Sequence, residues 1–376
     1  MSAARFIIGD TRDVTASLPS GSVDLVLTSP PFLALRSYLP ADHPDKGREI
    51  GIETTPADFL DVLLDLAAEW RRVLTPHGSI CVELGDTYSG SGGAGGDYNP
   101  AGLRSGQQKF KQQPANRSER YNADGSVRTA AAARASEPKN QPYVVPVTGG
   151  SGWPLAKSLC GIPHLFHLSL AYGRNLLTGR EIEPWRVRNV VAWCRPNPPV
   201  GALGDKFRPA TSYMTIATVA KDRYFDLDAV RGNPEDVKDQ RTRTTNGPKQ
   251  GADPSEVLTA GYHQRIPSHP NGAPPLDWWE IPTQPYKGSH YATWPEALCV
   301  KPILAMCPPG GTVLDPFAGS GTTLAVALGH GRDAIGIDLD ERNADLARAR
   351  VGMWLTVEHF SSAPVLVAAS QVKEEG

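Results

Sequence analysis

Residues 312–329, TVLDPFAGSGTTLAVALG, constrain the fold more than any other stretch. TVLD reads as a short strand, FAGSG as a glycine loop and TTLAVALGHG as a helix. RDAIGIDLD (332–340) then supplies the next strand. A strand that feeds a helix and a further strand in this way belongs to a mostly parallel α/β sheet flanked by helices. Gly319 and Gly321 let the backbone turn tightly and approach a ligand with no Cβ in the way. The helix N-terminus beyond them favours polar or anionic groups. Asp338 falls where an acidic residue holds ribose hydroxyls in nucleotide-binding sheets. Alone, this loop also suits a dinucleotide enzyme or a plain strand–helix turn. It is not GxGxxG, it lies near the C-terminus, and no GK[ST] follows, which argues against NAD and against a P-loop.

A second signature lies near the other end. VDLVLTS (23–29) reads as a fully buried strand and runs into TSPPF (28–32). Tandem prolines restrict φ and remove N–H donors. In isolation, an ordinary X-Pro turn that packs one ring into the core accounts for such a sequence. The same turn can also fix a Ser and a Phe at a strand's carboxyl end for chemistry.

Other elements follow from spacing. RFIIGD (5–10) reads as the first strand. Residues 55–74 read as a helix, with Thr55 as cap, Pro56 in the first turn, and Phe59, Leu63, Leu66, Trp70 and Val73 on one apolar face. His77-Gly78 is expected to end it before the strand SICVELGD (79–86). IPHLFHLSLAYG reads as a helix, and VRNVVAWCR (187–195), TSYMTIATVA and RYFDLDAV read as strands. PEALCVKPILAMC (295–307) reads as a helix broken by PPGG, and ERNADLARARVGMWL as a closing helix.

With 376 residues and 40% hydrophobic content, the chain suits a globular protein with a large core. No apolar run reaches the roughly 20 residues that span a bilayer, and the N-terminus lacks the pattern of a signal peptide. The expected setting is cytoplasmic. The five cysteines show neither a CxxC pair nor zinc spacing, so they read as buried thiols and no metal site is expected. The net charge of −2 gives no global positive field, so any hold on phosphates must be local. Residues 87–152 are glycine-rich and polar, with Arg104, Lys109 and Lys111 among their basic residues. That stretch reads equally as a solvated linker or a DNA-contacting insert. A second polar stretch from 231 carries Arg241 and Arg243.

Taken together, TSPPF and DPFAGSGTT resemble the DNA amino-methyltransferases that use S-adenosylmethionine. The catalytic motif comes first and the cofactor loop last, which resembles the circularly permuted β-type arrangement. RFIIGD, VVAWCRPNPPV, HYATWPEAL (290–298) and GIDLDERNADLARAR are similar to further segments of that family, with Arg195 where Lys is common. The resemblance covers most of the chain outside the two polar stretches. It implies a Rossmann-like methyltransferase sheet with helices on both faces and polar inserts. It places catalysis at Ser29, Pro30, Pro31 and Phe32. It places cofactor contacts at Asp10, His290, Thr293, Asp315, Phe317, Gly319, Ser320, Gly321, Thr322 and Asp338. Asp10 is expected at the cofactor adenine, with capping of a turn as the alternative. Asp315 is expected to hold the methionine ammonium or to orient the loop. Glu83 and Asp86 receive no role.

An exocyclic amine is a weak nucleophile because its lone pair is delocalised into the ring. The Ser29 side chain and the Pro30 carbonyl are suited to accept its two N–H bonds, and Phe32 to stack on a base rotated out of the duplex. Members of the family that act on cytosine N4 mostly carry Ser before the prolines, and those that act on adenine N6 mostly carry Asp or Asn. Ser29 therefore favours cytosine, with adenine N6 as the alternative. A dinucleotide oxidoreductase, or a DNA-binding protein of the same fold without activity, leaves TSPPF unexplained. The expected division is a catalytic half (1–86 and 153–230), the insert (87–152), a target-recognition region (231–280), a cofactor half (281–365) and a tail (366–376). Double-stranded DNA is the expected partner, a cognate restriction enzyme a further one, and the chain a monomer or homodimer.

Overall fold

A computed structural model describes residues 2–35, 37–40, 42–90, 150–198, 206–232, 243–245, 262–264, 269–283 and 294–361. Nine strands form one sheet in the order β11-β1-β10-β9-β2-β3-β5-β4-β8. They are β1 (Ala4–Ile8), β2 (Val23–Thr28), β3 (Leu74–Leu84), β4 (Arg186–Cys194), β5 (Thr211–Thr218), β8 (Trp278–Glu280), β9 (Thr312–Asp315), β10 (Asp333–Asp338) and β11 (Leu355–His359). Every neighbouring pair is parallel except those made by β5, which runs antiparallel to both β3 and β4. The short strands β6 (Arg243–Thr245) and β7 (Tyr262–Gln264) form a separate antiparallel pair.

Helices cover both faces, as the sequence implies. Along β2, Val23 and Val26 pack with α1 (Thr11–Ser17), α2 (Pro56–Val73) and α3 (Ile162–Tyr172). The alternate residues Leu25 and Leu27 pack with α4 (Glu296–Met306), α5 (Thr322–Gly329) and α6 (Asn343–Val351). Leu25, Val26 and Leu27 thus alternate between the faces of a strand buried on both sides, while Val23 lies across the register shift from them. The expected face of α2 is buried throughout, and the Thr55 side chain accepts from the Asp58 amide at its start.

Several boundaries differ from expectation. α2 ends at Val73, and His77-Gly78 instead lie inside β3, at a bulge where the register against β2 jumps from Val23–Leu74 to Leu25–Ser79. RYFDLDAV is not a strand. It folds into a short 3₁₀ turn at Asp228–Val230, and the Asp226 amide bonds the Ala305 carbonyl at 2.8 Å. The closing helix stops at Val351, before Gly352, and the chain returns as edge strand β11 beside β1. α1 and β8 carry no strong spacing signal, being 7 and 3 residues long.

The topology brings the carboxyl ends of β1, β2, β3, β9 and β10 to one edge. The chain passes through that edge at residues 9–11, 29–32, 85–87, 316–321 and 339–343.

Candidate active site

A cleft opens along this edge. Ser29 and Pro31 line it from the end of β2, Phe317, Gly319, Ser320 and Thr322 from the glycine loop, and Asp338 from the end of β10. The two motifs, nearly 300 residues apart in the chain, thus share one cavity.

The glycine loop has the conformation its residues allow. Gly319 and Gly321 sit at φ +50° and +75°, the left-handed region that suits glycine. A Cβ on Gly321 would also lie 3.0 Å from the Ala347 Cβ, so this glycine lets α5 and α6 pack closely. Asp338 accepts from the Gly319 amide (2.8 Å), the Asp340 amide (2.9 Å) and the Asn343 side chain (3.0 Å). A carboxylate offers about four acceptor positions, so one is left for a ligand hydroxyl. Burial raises the Asp338 carboxyl above its ordinary range, and these donors oppose it. The Ser320 hydroxyl is buried with no hydrogen-bond partner among the described residues, and an orphaned polar group beside a cavity invites a ligand.

Asp315 is buried, lines the cleft and is held by three donors inside the protein. It accepts from Thr28 Oγ1 (2.7 Å), Thr323 Oγ1 (2.6 Å) and the Phe317 amide (3.1 Å). Burial lifts its carboxyl to about 6 against those three donors. Of the two roles expected for it, orienting the loop is the one these contacts serve.

Asp10 lines the cleft but caps α1. Its side chain accepts from the Arg12 amide and from both guanidinium groups of Arg12 and Arg48, at 2.6 to 2.9 Å. Burial pushes the carboxyl up, but the Arg12 and Arg48 bonds outweigh it and hold it below the ordinary range. As placed, Asp10 lines the cleft while its acceptor positions are taken up by capping and by the two guanidinium groups. His290 and Thr293 lie outside the described residues, as do Arg104, Lys109, Lys111 and Arg241; Arg243 falls in the backbone of β6. Pro30 and Gly321 adjoin the cleft without lining it.

Sequence reasoning missed three features of the cleft. The loop after TSPPF folds back as a wall through Tyr38, Leu39, Arg48 and Ile50. Buried Glu49 organises it, accepting from Tyr38 N (2.8 Å), Lys46 Nζ (2.7 Å) and Ser37 Oγ (3.0 Å). Trp294 contributes an aromatic wall just beyond the expected His290 and Thr293. Asp340 also lines the cleft, with its carboxyl lifted to about 7 by burial and then by the charge of Asp338. The preponderance of acidic groups over Arg48 fits a ligand that carries positive charge together with sugar hydroxyls.

At the β2 end of the cleft, the Ser29 hydroxyl donates to Glu83 Oε2 at 2.6 Å. Glu83, on β3, is 3% exposed, and its Oε1 has no partner among the described residues. Burial raises its carboxyl above the ordinary range, while the Ser212 and Ser29 hydroxyls and the Arg195 charge oppose the shift. Phe32 is partly buried, with its ring laid over Gly85. Asp86 accepts from the Gly161 and Ile162 amides at the start of α3, so it serves the scaffold.

These features define a nucleotide-type cleft joined to a fixed Ser-Pro-Pro-Phe turn. The model of the DNA methylase family, the N6 and N4 amino-methyltransferases, matches residues 23–349, and the chain belongs to that family. It is 26% identical over 350 residues to the type II methyltransferase M.SmaI of Serratia marcescens, covering 93% of this chain and 91% of the relative. It is 27% identical over 351 residues to the type II methyltransferase M.Cfr9I of Citrobacter freundii, covering 93% and 88%. Among solved structures, PvuII DNA methyltransferase (cytosine-N4-specific) shares the fold with a TM-score of 0.50 at 15% identity, over 95% of both chains. The protein is a DNA amino-methyltransferase, and its cofactor is S-adenosylmethionine.

Proposed function

We propose that the protein methylates the N4 amine of cytosine in duplex DNA. The observation that carries the amine chemistry is the hydrogen bond from Ser29 to Glu83, and Ser before the prolines supports the choice of cytosine. A serine hydroxyl can donate one bond and accept two. With its proton committed to Glu83, Ser29 presents only lone pairs to the cleft. That makes it an acceptor for one N–H of an amine, and the Pro30 carbonyl is suited to accept the other. Withdrawing both N–H bonds frees the amine's lone pair for attack. The partner of Ser29 thus does for a neutral hydroxyl what charge does for an aspartate before the prolines.

Asp338 and the buried Ser320 are the residues suited to hold the cofactor's hydroxyl and amino-acid groups, and the acidic walls match its charge. Bound there, S-adenosylmethionine supplies an electrophilic methyl group, and no covalent intermediate on the protein is needed. Ser29 and Pro31 share the cofactor cleft, so alignment of the amine within that cleft supplies much of the acceleration. Phe32 offers the uncovered part of its ring to the rotated base. The basic segment 87–152 and the polar segment 231–280 are the regions proposed to contact DNA, and a cognate restriction enzyme is the proposed cellular partner, in the cytoplasm of a bacterium.

The test is to express the protein in a host that lacks N4-methylcytosine and to digest its DNA to nucleosides. Mass spectrometry is expected to find N4-methylcytosine. N6-methyladenine in its place would overturn the base assignment and keep the enzyme class.

A further inference from the structure

We propose that Thr28 is a positioning residue, whose hydroxyl ties the end of the catalytic strand to the cofactor loop and so sets the reach between Ser29 and the methyl donor. The proposal rests on the reading of Ser29 given above.

The backbone ladder between β2 and β9 pairs only Leu25 with Val313 and Val26 with Leu314. It stops two residues short of Thr28, before either motif begins. Beyond it the strands diverge into the SPPF turn on one side and the glycine loop on the other. Across that gap, Thr28 Oγ1 donates to Asp315 Oδ1 at 2.7 Å, joining residues 287 apart in sequence. Both partners are buried, at 0% and 2% exposure. The same carboxylate holds the Phe317 amide within the glycine loop and the Thr323 hydroxyl in the first turn of α5. One buried group therefore fixes the start of the loop, the start of the helix and the residue before Ser29. Geometry of this kind matters because transfer depends on alignment at the level of about 1 Å. Valine fits the strand as well as threonine does and removes only the donor. Serine keeps the donor and drops a methyl group.

Thr28→Val, Thr28→Ser and Ser29→Ala are compared in the full chain with a methylatable duplex. The measurements are calorimetric affinity for S-adenosylmethionine, single-turnover transfer rate and thermal midpoint. Thr28→Val is expected to bind the cofactor within about 3-fold of the parent and to transfer at least about 10-fold more slowly, while Thr28→Ser recovers most of the rate. An unchanged rate in Thr28→Val, beside a Ser29→Ala that is inactive, overturns the role of Thr28 alone. A rate that falls equally in Thr28→Val and Thr28→Ser, together with the midpoint, marks a packing role and also overturns it. Full transfer by Ser29→Ala overturns the catalytic reading on which the proposal stands.

Discussion

Replacing Gly85 by alanine displaces the Phe32 ring. An added Cβ would stand 2.5 Å from Phe32 Cε2, 2.9 Å from Cδ2 and 3.2 Å from Cζ. Carbon atoms in contact sit about 3.5–4.0 Å apart, so the ring must retreat by about 1 Å. The Phe32 backbone is packed against Gly51, where a Cβ would meet the Phe32 carbonyl at 2.9 Å, and the Ala34 amide bonds the Gly51 carbonyl at 2.7 Å, so the displacement falls on the ring. Overpacking of this kind costs about 1–3 kcal/mol of stability, which a chain of this size tolerates. The functional cost is larger. A displacement of about 1 Å at a group that positions the substrate slows transfer by about 100-fold. The assay is single-turnover transfer of labelled methyl to duplex DNA, with cofactor affinity measured beside it. Affinity is expected to hold while the rate falls. Phe32→Ala supplies the control. If Gly85→Ala acts only through the ring, it costs nothing further in the Phe32→Ala background. An unchanged rate in Gly85→Ala, or full additivity of the two substitutions, refutes the reasoning.

Three further outcomes are expected. Ser29 donates most strongly while Glu83 is ionised, and burial raises the Glu83 carboxyl above its ordinary range. Transfer is therefore lost as pH falls through that raised value, and Glu83→Gln should flatten this acid limb and slow transfer at neutral pH by about 10- to 100-fold. A limb unchanged in the variant assigns it to another group. Asp338→Asn weakens the hold on the Gly319 amide and should reduce cofactor affinity by about 10-fold, read as a smaller cofactor-induced rise in thermal midpoint; an undiminished rise removes Asp338 from the cofactor site. Ser89 pairs with Lys157 and Ser158 at 2.7 and 2.9 Å, so the two ends of the stretch 91–149 are already tied together. Replacing that stretch by a short linker should leave cofactor binding intact and flatten the salt dependence of DNA binding; an unchanged slope makes it a linker.

The sheet was legible because its central strands are apolar on both faces and its turns carry glycine or proline. β9, the FAGSG loop and α5 fall where spacing puts them, and the buried face of α2 matches its periodicity residue by residue. β11 and β8 were not legible, since 3 to 5 residues at a sheet edge have little pattern of their own and depend on pairing with β1 and β4. The same limit applies to the site. The loop and the SPPF turn announce themselves through residue types that force backbone shape. Glu83 does not, because a carboxylate inside an apolar strand gains meaning only when β2 and β3 are paired with Ser29 alongside. Asp10 shows a different limit. A lone acidic residue at a strand end fits a ligand contact and a helix cap equally well, and its pairing with the guanidinium groups of Arg12 and Arg48 is visible only in the fold.

The central claim is that Ser29 acts on the amine and not on the fold or the cofactor. The most direct test is Ser29→Ala, measured by calorimetric titration with S-adenosylmethionine and by single-turnover transfer to duplex DNA. The account predicts cofactor affinity within about 3-fold of the parent and a transfer rate lower by at least about 100-fold. Transfer at the parental rate would contradict it.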